Sequence, residues 1–331
     1  MLHRLLLLAL LSADVRARGL TADQLGVVYN RSDAPSTRIA EYYAMRRHVP
    51  PGNVIGLSVP DQLEISRDQL QALRSALIDR LPSAVQSLLL VWSRPYAVEC
   101  MSITTAFAAG YLPAFCEQGC ERTMGSPLFD VSGWLPADTT GWLPAMLLPS
   151  NDEALARAII DRGVQSDGSS PPGTVYLVRT SDPVRGIRSR TYAKDESELL
   201  SRVQVRELAT PVRSGPDDII GYFTGVMRVE ELPLLTFRPG AVADHLTSTG
   251  GALASSRQMS ALAWLRQGAT GSYGTVSEPC NLPEKFPEPA VFFDHYLRGD
   301  TLLEAYWKSV AMPGQGLFIG EPLARPYVGA P

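Results

Sequence analysis

The sequence has no surplus of basic residues. Thirty Lys and Arg stand against thirty-four Asp and Glu, a net charge of -4. Nothing concentrates cations to displace phosphate counterions, so nucleic acid is excluded as an expected partner. After its first residues the chain has no apolar run of transmembrane length, so no integral membrane segment is expected. No repeat of fixed period occurs, and no G-x-S-x-G elbow surrounds a serine. Histidine and cysteine number only four each. Cys116-x-x-x-Cys120 has neither a second Cys pair nor a His nearby, so no metal and no cofactor is expected. Charged residues make up 19% and hydrophobic residues 45% of the 331 positions. That composition excludes wholesale disorder and supplies ample material for a core.

Residues 1–19 read as a leader and not as fold. Met1–Arg4 is a short positive segment, Leu5–Leu11 is apolar, and Ala17-Arg18-Gly19 forms a small-residue cleavage site before Leu20. A start codon placed too early is the other explanation for these residues. With the leader removed, the charge falls to about -6, because residues 1–19 carry three Arg and one Asp. The expected location is exported, periplasmic or extracellular. An oxidising compartment favours one disulfide among Cys100, Cys116 and Cys120, with the pairing left open and Cys280 as the leftover thiol.

The rest reads as alternating strands and helices. Leu25–Tyr29, Val54–Val59, Leu88–Trp92, Thr174–Arg179, Ile219–Thr224, Ala269–Val276 and Leu317–Ile319 are apolar strand candidates. Helical spacing marks Ile39–Arg46, Ser66–Leu81, Asn151–Arg162, Glu196–Arg206, Ser256–Arg266, Ala290–Leu297 and Leu302–Val310. Fully apolar strands separated by helices imply a parallel α/β sheet buried on both faces. Residues 95–150 are irregular and read as an excursion from the sheet edge. The organisation is therefore leader 1–19, N-terminal α/β subdomain 20–150, and a second α/β domain 151–331.

Polar and glycine residues are densest in Asp244-His245-Leu246-Thr247-Ser248-Thr249-Gly250-Gly251 and in Glu278-Pro279-Cys280-Asn281. In open α/β sheets, sites form beyond the carboxyl ends of strands. A thiol at one strand end and an imidazole at the next can make a nucleophile–base pair. The candidate dyad is Cys280 with His245, and Asp244 or Glu278 would orient the imidazole. Asn281 would hold the loop, and N–H groups near Gly250 and Gly251 would stabilise an oxyanion. Ser248 is a second candidate at the same strand end. The plainer reading is a core cysteine and a structural His–Asp pair. Glu41, Arg94, Glu99 and Arg179 are expected to be salt-bridged or solvated, and Trp264, Tyr306 and Trp307 to be core or cap aromatics. Ser102–Thr105 can line a cleft, and Asn30-Arg31-Ser32 fits an N-glycosylation acceptor.

Several stretches are similar to those of an uncharacterised family of exported bacterial proteins, across nearly the whole chain after residue 19. They are Val27–Arg31, Ala243–Ser248, Gly268–Val276, Glu278–Asn281, Glu304–Val310 and Pro313–Leu323. The second half also resembles, more distantly, the caspase-like fold of gingipain-type cysteine peptidases and separase-like CHAT domains. That likeness rests on a helix leading into Gly268-Ala269-Thr270, a helix pair, and the ending Gly320-Glu321-Pro322. It implies a caspase-like C-terminal part preceded by a smaller α/β subdomain. Caspase-like peptidases carry His-Gly after one strand and Cys after the next. In one register those positions are Val226, after Tyr222-Phe223-Thr224-Gly225, and Thr247 or Ser248. A second register pairs His245 with Cys280. Two functions follow: a cysteine peptidase using Cys280 and His245, or a catalytically inactive caspase-like module that binds a peptide or protein partner.

Overall fold

The computed structural model describes residues 19–116, 120–199, 201–210, 215–254 and 257–328. All but the last residue of the expected leader lies outside them. The strands are β1 (Leu25–Asn30), β2 (Val54–Leu57), β3 (Glu64–Ile65), β4 (Ser87–Val91), β5 (Ala97–Val98), β6 (Met101–Ser102) and β7 (Ala145–Leu148). They continue as β8 (Thr174–Val178), β9 (Gln204–Leu208), β10 (Ile219–Thr224), β11 (Phe237–His245), β12 (Gly271–Thr275) and β13 (Gly316–Gly320). The helices are α1 (Ala34–Arg47), α2 (Arg67–Ile78), α3 (Ile103–Ala109), α4 (Pro136–Thr140), α5 (Glu153–Ser166), α6 (Tyr192–Leu199), α7 (Leu262–Gln267), α8 (Pro289–Leu297) and α9 (Leu302–Ser309).

Among the described residues, ten strands form one sheet in the order β2-β1-β4-β7-β13-β12-β11-β10-β8-β9. Strands β1, β2, β4 and β7 pair in parallel, as do β8 to β12 on the other side. β13 runs antiparallel to β12 and meets β7 at Ile319 and Leu147. The sheet is thus mostly parallel and flanked by helices, the α/β sandwich that the apolar strands imply. Strands from before residue 150 lie on one side of β13 and strands from after it lie on the other. β5 pairs with β3 on one side and with β6 on the other in a small separate sheet.

Local chemistry sets the helix ends. The Asp33 carboxylate accepts the Ser36 N–H and caps α1, with Pro35 in the first turn. Ser66 and Gln69 form a capping box at the start of α2, whose Leu70, Leu73 and Leu77 are buried. Two expected helices differ. Glu196–Arg206 divides into α6 and β9, because Gln204–Leu208 extends along β8 as an edge strand with Arg206 and Glu207 keeping that edge charged. The helix expected over Ser256–Arg266 begins only at Leu262, since Met259 is held outside it by bonds to Met227 and His245.

One large core runs from Leu20 to Tyr327, across both sides of β13. At its centre Phe318 stacks on Trp307 at 4.5 Å between ring centroids and meets Tyr273 edge-on at 5.1 Å. Trp264, Tyr306 and Trp307 are all fully buried, as expected. Beyond β13, Glu321 is fully buried, accepts from Tyr43 and pairs with Arg47. A Cβ on Gly163 would overlap the Glu321 side chain, so α5 can approach it only through glycine.

Phe318→Ala would leave a void among three rings. It is expected to lower unfolding stability by about 3–5 kcal/mol, measured by denaturant titration at unchanged m-value. A loss below about 1 kcal/mol would contradict this central role of β13.

Candidate functional site

The carboxyl ends of both parallel blocks lie along one edge of the sheet. The loop after β12 reaches the turn between β5 and β6, where Ser277 Oγ donates to the Cys100 carbonyl at 2.7 Å. Each block contains a point where consecutive connections leave in opposite directions. In the first, β2 and β4 lie on opposite sides of β1. In the second, β9 and β10 lie on opposite sides of β8. Diverging connections open a crevice beyond the strand ends. One of these crevices is filled and the other is open.

The second-block crevice is filled by its own chain. Asp182 accepts the Val184 and Arg185 N–H groups, and Arg185 Nε donates to Thr247 Oγ1 at 3.0 Å. Thr247 Oγ1 donates to Gln258 Oε1, which also accepts the Thr249 N–H. Arg188 lies beneath, paired with Asp244 through Nη1 and donating from Nη2 to the Pro287 carbonyl. Both side chains are almost wholly buried. Burial pushes Asp244 up to about 6 against the opposing pull of Arg188. Removing either partner would leave a buried charge unpaired.

These contacts correct the dyad expected at this edge. Cys280 is not a leftover thiol: it is bonded to Cys120, and the other disulfide joins Cys100 to Cys116. Its sulfur therefore has no thiolate to offer. His245 is fully buried, and Trp264 Nε1 donates to its Nδ1 at 3.0 Å. The proton then resides on Nε2, which faces the Met259 carbonyl at 3.1 Å. Both ring nitrogens are committed, and burial pulls His245 down to about 3, so the ring is neutral. Asp244 turns to Arg188, not to His245.

The backbone around the remaining expected residues is drawn into the fold. The Gly251 N–H donates to the Thr275 carbonyl at 2.8 Å, and the Gly250 carbonyl accepts from Ala261. An oxyanion therefore finds no Gly251 donor. The Ser248 carbonyl accepts from Thr275 Oγ1. Glu278 Oε1 accepts the Cys280 N–H at 2.9 Å, while Cys280 and Asn281 both adopt φ +55°. The segment is a tight turn fastened by a disulfide. Ser102, Thr104 and Thr105 are buried against the Gly316 and Pro313 carbonyls and do not line an open cleft. The expected surface pairs form as Arg94–Asp61, Glu99–Arg67 and Arg179–Glu207.

The first-block crevice is open, with a volume of about 370 Å³. Asn30 and Asp33 enter it from the end of β1, Val59 and Asp61 from beyond β2, and Trp92, Ser93 and Arg94 from beyond β4. Pro149 and Asn151 follow β7, and Leu253 and Leu262 come from the other half of the chain. Its frame is fixed by hydrogen bonds. Asn30 Oδ1 accepts from Ser32 and Val59 N–H groups, and its Nδ2 donates to the Val59 carbonyl. Asn30 is thus a buried structural amide, and a glycan on it would break these bonds. Ser93 Oγ accepts the Ser150 and Asn151 N–H groups, both at 3.0 Å, and donates to Asn151 Oδ1. The result is an apolar floor of Trp92, Val59, Pro149 and Leu262 beneath a polar rim. Such a site orients a ligand through a few fixed polar groups.

Sequence reasoning assigns none of these residues to a site: it reads Asn30 as a glycosylation acceptor and Arg94 as a surface charge. Their signal was weak: single polar residues placed directly after an apolar strand, at Asn30 and Ser93. Among the described residues no group of three or more His, Cys, Asp and Glu is placed to hold a metal ion. No described helix is long and apolar enough to cross a membrane. Two disulfides are compatible with an oxidising compartment. No family model matches the chain, and no curated protein is significantly similar to it.

Alkylation tests the cysteine assignment directly. Iodoacetamide should add nothing to the unfolded, unreduced protein and four adducts after reduction. Peptide mapping should recover Cys120 joined to Cys280. One adduct on Cys280 without reduction would contradict the assignment.

Proposed function

We propose that this chain is an exported, non-hydrolytic α/β module that binds a peptide or protein partner in the crevice between β1 and β4. The observation that carries this reading is the commitment of Cys280 to Cys120 and of both His245 nitrogens to Trp264 and Met259. That leaves no free cysteine among the described residues to serve a cysteine hydrolase as nucleophile. The resemblance to the caspase-like fold agrees with inactivity. β10 and β11 are adjacent and parallel, as consecutive strands bearing His-Gly and Cys must be. The residues that follow them are Gly225-Val226 and Leu246-Thr247-Ser248. Fold alone does not bring a peptidase activity.

A peptide suits the open crevice better than a compact polar metabolite. The apolar floor accepts one aliphatic or aromatic side chain. The rim offers the Asn151 amide, the Asp33 carboxylate and the Asp61–Arg94 pair to main-chain amides on either side. Desolvated apolar anchors supply most binding energy, and rim polar groups supply register.

The test is selection of peptides from a displayed library on the wild-type protein, followed by affinity measurement on Ser32→Trp and Ala254→Trp. Both positions are exposed on the crevice wall, so the fold should be unaffected. Selected peptides are expected to share one large apolar residue and to lose at least about tenfold in affinity on each variant. Selected peptides whose affinity is unchanged by both substitutions would overturn the location of the site.

A further inference from the structure

The first residue after the expected leader is already built into the fold. Leu20 is 4% exposed, and its N–H lies 2.9 Å from Glu304 Oε2. The same oxygen accepts the Thr301 N–H at 2.7 Å, which caps α9. Glu304 is 1% exposed, yet its second oxygen, Oε1, has no hydrogen-bond partner among the described residues. A buried carboxylate oxygen left without a donor is costly. Among the described residues, the neighbouring cations are engaged elsewhere. Lys308 Nζ is held by Asp300 at 2.5 Å, and Arg325 turns to the Gly299 carbonyl. Burial and the neighbouring Asp300 push Glu304 above the usual carboxylate range, opposed by Lys308.

Gly19 meets the same group. A Cβ there would stand 2.9 Å from Glu304 Oε2 and 3.2 Å from the Gly299 carbonyl oxygen. A side chain at residue 19 would therefore crowd Glu304 and Gly299, which glycine, or a chain that begins at residue 20, does not. An amide at Leu20 brings one hydrogen and no charge. An amino terminus there would bring three hydrogens and a positive charge.

We propose that the niche formed by Glu304, Thr301 and Gly299 is a binding site for the chain's own amino terminus, created by cleavage between Gly19 and Leu20. The step is a hydrolysis. Water adds its hydroxyl to the Gly19 carbonyl carbon and a proton to the leucine nitrogen, which takes a further proton from solvent. The resulting ammonium replaces the single amide donor and supplies the missing partner of Oε1. Because the Gly19–Leu20 bond is buried in the folded chain, cleavage precedes docking of this segment. Removal of the leader thus completes a charge pair inside the protein as well as releasing it. This inference rests on the leader reading and is independent of the crevice between β1 and β4.

The protein is expressed with its leader, recovered after export, and its first residue is determined by intact mass and terminal sequencing. Leu20 is the expected start. The native protein is then acylated at neutral pH with an N-hydroxysuccinimide acetate. The Leu20 amine is expected to react at least about tenfold more slowly than in the unfolded chain, because the docked ammonium is both paired and enclosed. A second comparison does not depend on reagent access. Glu304→Gln should lower the melting temperature more in the chain that starts at Leu20 than in one retaining Ala17-Arg18-Gly19. A start at any other residue overturns the proposal, as does equal acylation of folded and unfolded chains. An equal loss of melting temperature in both backgrounds would show that Glu304 acts only as the cap of α9, and would overturn it as well.

Discussion

The structure depends on where its last strand goes. β13 is contributed by residues 316–320, yet it lies fifth of ten in the sheet. It supplies five residue pairs to β12 and a contact to β7, and it is the junction between the two parallel blocks. Until it docks, β7 and β12 each present an unpaired edge, and edges of that kind are prone to mispairing. Placing Phe318 between Trp307 and Tyr273 joins the packing on both sides into one core. The buried contacts of Glu321 with Tyr43 and Arg47 then hold the end of the strand against α1. Non-local pairing of this type is slow to form and cooperative once formed.

The same arrangement decides which part of the sheet edge stays available. With the carboxyl ends of both blocks on one edge, the loops beyond them compete for the same space. In the second block that competition ends in closure. Arg185 reaches Thr247, Gln258 fastens the following turn, and the Arg188–Asp244 pair lies buried below. The loop after β12 is tied to the irregular segment by Cys120–Cys280, a cross-link closing 160 residues. In the chain-entropy view, a closure of that length restricts the unfolded state by about 5 kcal/mol. In the first block, Asn30 and Ser93 spend their hydrogen bonds on framing the crevice, not on filling it.

The α/β class was legible because a strand buried on both faces is a continuous apolar run, as Leu88–Val91 and Thr174–Val178 are. β7 was not legible within residues 95–150, since four apolar residues among Pro, Gly and Trp carry no period. β9 was read as helix because an edge strand is polar and its pattern competes with helical spacing. The site was misread for a different reason. Cys120 and Cys280 are distant in sequence, and their proximity follows from strand order, which single-residue patterns do not encode. His245 stood out through its Asp and Gly neighbours. What fixes its chemistry is Trp264, nineteen residues away and read only as a core aromatic. The Leu20–Glu304 contact, spanning 284 residues, is invisible from sequence for the same reason.

The central claim is that the strand-end cysteine and histidine serve structure and not hydrolysis. The most direct measurement incubates the purified protein with a complex peptide mixture and resolves the products by mass spectrometry. It is run with and without reductant, beside Cys280→Ser. The account predicts no cleavage product above the buffer control in any arm. Products formed by the wild type under reductant and absent from Cys280→Ser would contradict it, because they would make Cys280 a nucleophile that its bond to Cys120 merely protects.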